Sequence, residues 1–276
     1  MNESTVFPRL RADEKLGEDH GLEVTEKVVS DRFLLHCHDY FEIEIVAKGR
    51  GTHMLNGTPY PLTVGSAYLL KPTDIHEILV EEDLHLFNIS FRETMLGEGT
   101  LLSILHSDLH LLTLEGKRLE SVLLAARLLK NECEERSDYQ KSLLEYLVHF
   151  FVDPAAYKQK SEQLSGIKRA LLYLEVHFRE QIDLATLARE AGFHPMYFSA
   201  IFKKTTGETY VQKLTQLRLE YARTLLSNNY SVSYACFESG FGSLSNFFTA
   251  FKKKYSVSPR EYARSRGNMT KDSIKS

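Results

Sequence analysis

No run of apolar residues in this 276-residue chain is long enough to cross a bilayer; the richest, Val122 to Leu129, is broken by Arg127. The stretch from Met1 to His20 mixes acids and bases and has no apolar segment of signal-peptide length. Cysteine is scarce, and Cys37, Cys133 and Cys236 are an odd, scattered set, which argues against a disulfide framework and for a reducing compartment. There is no glycine-rich phosphate loop and no spacing that joins a nucleophile to a histidine and an acid. These absences lead us to expect a cytoplasmic protein that is not an enzyme, has no cofactor and has no membrane partner.

Charge is present in balance but not in even distribution. The net charge is -3, yet residues 166–276 hold 17 Lys and Arg against 9 Asp and Glu, a balance of +8, leaving -11 on residues 1–165. One half would attract a polyanion that the other repels.

From Leu22 to Phe91 the sequence reads as short strands with turn residues between them. Phe41 to Ala47 alternates with period two, Lys48-Gly-Arg-Gly51 suggests a turn, and Thr52 to Leu55 leads into Asn56-Gly57, a strong hairpin signal. Further strands are expected at Tyr60 to Val64, Ala67 to Leu70, Ile75 to Val80 and Leu84 to Phe91. Many short strands suggest a small antiparallel barrel or sandwich. After Gly99 the period becomes helical: Leu119, Val122, Leu123 and Ala126 share one face, as do Leu143, Leu144, Leu147 and Phe151. Such a pair serves as domain core or as a dimer surface. Residues 153–165, polar and opened by a proline, read as a linker.

The rest is helical to about Arg264 and contains a repeat. Gly192-Phe-His-Pro-Met-Tyr-Phe-Ser-Ala-Ile-Phe-Lys-Lys204 returns as Gly240-Phe-Gly-Ser-Leu-Ser-Asn-Phe-Phe-Thr-Ala-Phe-Lys-Lys253. Each copy follows a short amphipathic helix, Leu184 to Ala191 and Val232 to Ser239, and each carries phenylalanines four residues apart. A short helix, a glycine turn and a second helix with basic residues is the helix-turn-helix pattern. Thr209 to Leu226 reads as one helix of about 27 Å, against roughly 34 Å between successive major grooves on one face of DNA.

Arg218-Leu-Glu-Tyr-Ala-Arg223, Ser231-Val-Ser, Phe237-Glu-Ser-Gly-Phe-Gly242, Phe251-Lys-Lys253 and Ser258-Pro259 resemble the signature of the AraC/XylS family of bacterial regulators. The resemblance covers the last 100 or so residues and implies two DNA-reading helices. The chain departs from the family pattern at Ser256, where glycine is usual, at Ala235 and Cys236, where the usual pair is Ile and Ala, and at Ala200 and Thr249, where arginine is common. Phe248 replaces a small polar residue. Without arginine there, the expected readout shifts from guanine toward apolar contact with thymine methyls. Met196, Ser199, Leu244, Asn246 and Phe248 are the candidate base readers, and Lys203, Lys204, Lys252 and Lys253 the candidate phosphate contacts. Phe248 is equally well explained by inward packing.

His36-Cys-His-Asp-Tyr-Phe-Glu42 with Gly49, then Gly65 and Pro72-Thr-Asp-Ile-His76, resembles the two cupin motifs, over roughly Leu22 to Phe91. In metal-binding cupins the residues matching His36, His38, Glu42 and His76 hold one metal. Here Asp74 stands in place of a glycine and the spacing before His76 is short, which favours a metal-free pocket for a small molecule such as a sugar. His36, His38, Tyr40, Glu42 and His76 are its candidate contacts, and Tyr60 and Tyr68 are further rings that would stack on a ligand or fill the core. By strand parity Glu42 and Glu44 share a face with His36 and His38, but the same parity allows Ile43 and Ile45 to fill the barrel instead.

The expected fold is therefore α+β and multidomain. It comprises an N-terminal arm (1–21), a cupin-like effector-binding β-barrel (22–98), a flanking helical dimerisation region (99–152), the linker (153–165), an all-α domain of two helix-turn-helix units joined by a long helix (166–264) and a disordered tail (265–276). The expected function is sequence-specific transcription regulation in response to a small molecule. The expected partners are double-stranded DNA, the effector, a second copy of the chain and, for an activator, RNA polymerase. The alternatives are a metal-dependent cupin enzyme fused to a DNA-binding domain, and a nucleoid protein; the acidic first half argues against the latter.

Overall fold

The computed structural model describes residues 9–17, 20–72, 74–105, 107, 111–135, 139–152 and 166–272; the expected linker lies outside them. The described residues form two compact units, one spanning residues 9–152 and the other residues 166–272. Among the described residues no helix is long and apolar enough to cross a membrane.

The first unit is β-rich. Its elements are β1 (Arg9–Leu10), α1 (Ala12–Leu16), β2 (Leu22–Val29), β3 (Phe33–His38), β4 (Phe41–Leu55), β5 (Thr58–Leu62), β6 (Ser66–Leu70), β7 (Ile75–Phe91), α2 (Glu98–Leu105), β8 (Leu111–Thr113), α3 (Gly116–Glu135) and α4 (Gln140–Val148). The sheet order is β1-β3-β7-β4-β6-β8, with β2 also on β7 and β5 on β4. This path does not return on itself, so the sheet is open where a closed barrel was expected. It is also mixed, because β1 pairs with β3 in parallel. Among the described residues β1, β2, β5 and β8 each have one neighbour, and β1 and β8, at the ends of the path, have only two and three residues.

Two of the expected turns are strand. β4 runs through Lys48–Gly51 with register shifts instead of reversing, and the segments 75–80 and 84–91 are one strand, β7. Gly49 explains the difference. Its φ is +90°, and a Cβ there would lie 2.2 Å from the Asp83 carbonyl oxygen, so glycine admits a close approach of β7 at a bulge. The Asn56-Gly57 hairpin is present: both residues have positive φ and Leu55 pairs with Thr58.

Both faces of β4 are buried over its first half. Ile43 and Ile45 pair with Ile89 and Phe87 on one face. The other face carries Glu42 and Glu44 beside an apolar cluster of Val46, Leu55, Leu62, Tyr68, Leu70, Ile78, Leu84 and Leu86. The helix pair is packed by Val122, Ala125, Ala126 and Leu129 of α3 and by Leu144, Leu147 and Val148 of α4. Leu119 and Leu123 are only half-buried.

The second unit is all helix: α5 (Gly166–His177), α6 (Leu184–Ala191), α7 (Pro195–Thr206), α8 (Tyr210–Ser227), α9 (Val232–Glu238), α10 (Leu244–Tyr255) and α11 (Pro259–Asp272). The first helix-turn-helix is α6–α7 and the second α9–α10, with α8 between them. Phe198 and Phe202 of α7, and Phe247 and Phe251 of α10, are fully buried, as are Ala235 and Cys236. The last helix passes Arg264 and continues to Asp272. No proline follows Arg264, and the lone Gly267 costs only about 1 kcal/mol in a helix interior.

The repeat extends beyond the motif visible in sequence. The second helix of each pair ends on a residue in the left-handed region, Gly207 (φ 82°) and Ser256 (φ 62°). A hydroxyl capping box then opens the next helix, Thr209 with Gln212 and Ser258 with Glu261. Ser256 thus occupies, with a side chain, a conformation its counterpart adopts freely. Ser256→Gly is expected to stabilise the protein by about 1 kcal/mol, read as a raised midpoint in thermal or urea unfolding.

Candidate functional site

The outer surfaces of α7 and α10 are the first candidate. On α7, Met196, Ser199 and Lys203 are spaced to share a face, and all are exposed, as is Lys204. Met196 is 75% exposed although it is apolar. On α10, Asn246, Lys252 and Lys253 are exposed, Leu244 is partly so, and Phe248 is half-buried. The Arg260 guanidinium lies over the Phe248 ring, 5.6 Å from its centroid. Aligning the repeats on Phe198 and Phe247 makes Ser245 the counterpart of Met196, and Thr249 that of Ala200. Both Ser245 and Thr249 are exposed on the Lys252 side of the helix. The candidate set omitted Ser245, because the repeats contain unequal turns and register counted from the glycines is shifted by one residue.

The geometry of α7 and α10 is fixed by their caps. Asp183 accepts from the Thr186 amide at the start of α6, Pro195 sits in the first turn of α7, and Ser243 accepts from the Asn246 amide at the start of α10. Arg218 on α8 donates to the carbonyls of Phe178 and Glu180 at 2.7 and 2.6 Å, tying the long helix to the segment before α6.

The second candidate is a buried cluster inside the β-rich unit. β7 lies between β3 and β4, so His76 faces His36 directly across one pairing and His53 diagonally across the other. His38, Glu42, Glu44, Asn88, Tyr40 and Tyr68 complete the group, all at most 6% exposed. The structure therefore brings His36, His38, Tyr40, Glu42 and His76 together. It adds Glu44 and His53, the latter missed because it lies in neither motif. Tyr40 stacks on the His38 ring at 4.5 Å and is also packed against Ala12 and Leu16 of α1. Tyr60 lies at the margin of the apolar cluster.

The polar atoms here are incompletely matched. Asn88 donates to Glu42 Oε1 and, at 3.4 Å, to Glu44 Oε1, while the Ser90 hydroxyl donates to Asn88 Oδ1 at 3.2 Å. His38 Nε2, Glu42 Oε2, Glu44 Oε2, His53 Nδ1 and His76 Nε2 are buried with no hydrogen-bond partner. Leaving such groups unsatisfied costs about 1–3 kcal/mol each. Burial lowers His36 and His53 to about 4 and His76 well below the usual imidazole value. Burial would raise Glu42, but hydrogen bonding and positive charge from a protonated His38 bring it down to about 2. Burial and the neighbouring Glu42 charge push Glu44 up to about 8.

The metal implied by the cupin-like motifs is consistent with this donor set. Glu42 Oε2 lies 3.3 Å from His38 Nε2 and 3.7 Å from His76 Nε2. Ligand atoms of His36, Glu42 and His76 fall within 4.8 Å of one another, as do those of Glu44, His53 and His76. Neutral imidazoles and one carboxylate at this spacing suit a divalent transition metal. His36, Glu42 and His76 would hold it, with His38 beside Glu42 as a fourth donor, and the ion would supply a fixed positive charge to the interior.

Residues 26–138 match an AraC-like ligand binding domain and residues 187–265 a helix-turn-helix domain. The HTH-type transcriptional activator RhaS of Enterobacter sp. (strain 638) is 28% identical over 245 residues, 84% of this chain and 87% of that protein. RhaS of Mannheimia succiniciproducens is 29% identical over 241 residues, 82% and 87% of the two chains. The crystal structure of ToxT from Vibrio cholerae O395 aligns over 88% of this chain and 97% of its own, at 16% identity and a TM-score of 0.37.

Glu44 gives the cluster a pH signature. Its carboxyl titrates near 4.5 when unfolded and about 8 when folded, so its contribution to stability is present below pH 4.5 and lost as pH rises through 8. Histidine effects are common to both proteins, so comparison with Glu44→Gln isolates this group. In chelator-treated protein, the melting temperature of Glu44→Gln should exceed that of wild type by a margin that grows from pH 5.5 to 8.

Proposed function

Because the chain belongs to the AraC/XylS family of transcription regulators, with an AraC-like ligand-binding domain followed by a helix-turn-helix domain, we propose that α7 and α10 are its two DNA-reading helices. Met196, Ser199, Leu244, Asn246 and Phe248 read base edges, together with Ser245 and Thr249. Lys203, Lys204, Lys252 and Lys253 contact phosphates. The observation that carries this reading is the duplicated helix pair. In both copies two phenylalanines bury one side of the second helix, and the other side presents polar and basic residues. The balance of +8 on residues 166–276 supports it.

The ligand-binding domain makes this DNA-binder responsive. A small polar molecule, such as a sugar, meets His36, His38, Tyr40, Glu42 and His76, and its hydroxyls pair with polar atoms that otherwise lack partners. To regulate, it must bind one arrangement of the protein better than another. The similarity to transcriptional activators supports RNA polymerase as a partner. The relatives are regulators, and nothing in the comparisons supports a cupin enzyme. A reducing cytoplasm suits Cys37, Cys133 and Cys236, none of which forms a disulfide among the described residues. Dimerisation involves α3, where Leu124 and Leu128 lie one turn apart and are both exposed.

Selection of binding sites from random DNA tests the interface. Lys203→Ala and Lys252→Ala should each weaken binding on every sequence and reduce the slope of log K against log salt by about 1. Phe248→Ser should change the preferred base at one position; an unchanged preference would remove Phe248 from the readers. For the dimer, the paired change Leu124→Glu with Leu128→Glu should yield a folded monomer in sedimentation analysis. A persistent dimer would exclude this surface.

A further inference from the structure

Three imidazoles of the cluster face Glu42, but only two have a tautomer fixed by the backbone. His36 gives its Nδ1 hydrogen to the Leu34 carbonyl at 2.9 Å, and His38 gives its own to the Tyr40 carbonyl at 2.7 Å. When neutral, both rings must then turn an unprotonated Nε2 inward, the form that binds a metal. His76 is different. Its Nδ1 meets no carbonyl; it meets His53 Nε2 at 2.9 Å. A single hydrogen lies between these two nitrogens, and its position decides what His76 offers on its other side. With the hydrogen on His53, neutral His76 is protonated at Nε2 and presents an N–H to Glu42. With the hydrogen on His76 Nδ1, it presents a lone pair.

We infer that His53, which belongs to neither histidine motif, is a positioning residue that accepts the Nδ1 hydrogen of His76 and so makes His76 a ligand for a divalent transition metal. This rests on the fit of His36, His38, Glu42 and His76 to such an ion, in whose presence the polar ligand proposed above would meet the ion in place of these side chains; it is independent of the DNA interface.

Two observations support the assignment. First, His53 and His76 are 0% and 1% exposed, so water does not substitute for the acceptor. Second, the edge of the Tyr68 ring contact at 4.5 Å and the diagonal strand register fix the His53 ring from two sides. The assignment places the His53 hydrogen on Nδ1, a buried atom that then needs an acceptor of its own. A carboxylate oxygen of Glu44 lies within 4.8 Å of a His53 ring nitrogen, so a small movement of that side chain provides an acceptor. A metal-bound histidine almost always hands its other N–H to such a partner, and loss of the partner typically lowers metal affinity 10–100-fold.

The test uses the full chain stripped with chelator and titrated with Co2+ alone, followed by calorimetry and by the visible absorption of the bound ion. Wild type should bind one Co2+ per chain, and His76→Ala should abolish binding. His53→Leu, which fills the space but accepts no hydrogen bond, should lower affinity 10–100-fold and change the visible spectrum. His53→Gln, whose carbonyl can accept the His76 hydrogen, should restore affinity to within a few-fold of wild type; if the leucine variant does not fold, this variant carries the test. Failure of wild type to bind Co2+, binding by His53→Leu equal to wild type, or loss in the glutamine variant as large as loss of a ligand would each overturn the assignment.

Discussion

A charged or polar side chain removed from water must be matched, and this requirement governs the β-rich unit more than any apolar contact. Its inner face could have been filled with leucine and valine, as the adjoining cluster around Leu70 and Leu86 is. Instead, four histidines and two glutamates meet where β3, β7 and β4 run side by side. Asn88 and Ser90 match part of the carboxylate demand, and backbone carbonyls match His36 and His38. Five buried atoms are left over. Such a cost accords with the proposed binding of a ligand at this cluster.

The helical unit meets the opposite constraint, that of packing a short helix firmly while leaving most of its surface free. The second helices of the two pairs, α7 and α10, solve it in the same way. Phenylalanines one turn apart enter the core, a polar cap fixes the start, and a left-handed residue followed by a capping box fixes the end. The helix between them has 18 residues, about 27 Å, a length compatible with presenting two such surfaces to neighbouring turns of DNA. With the core on one side settled by four aromatic rings, the remaining positions are free to vary for recognition. The two copies differ there: Met196 and Ala200 of α7 correspond to Ser245 and Thr249 of α10.

Local chemistry made much of this readable. Asn56-Gly57 dictates a hairpin, and the Gly-Phe turns with spaced phenylalanines identify both helix pairs. Effects arising between strands were not readable. Gly49 looks like a turn residue in sequence but serves to admit the Asp83 carbonyl of a neighbouring strand, so two expected pairs of strands are two long ones. The order of the strands left the sheet open, which alternation alone does not reveal. His53 joins His76 through a diagonal register between strands whose pairing no motif announces. On α10, the unequal turns concealed that Ser245, not Leu244, is the counterpart of Met196.

The measurement that bears most directly on the account is a hydroxyl-radical footprint of the full-length chain on a DNA sequence recovered by selection. Two reading helices on one rigid strut should protect two short segments on the same face of the duplex, centred about 10 base pairs apart. A single protected segment, or even protection that does not depend on sequence, would contradict it.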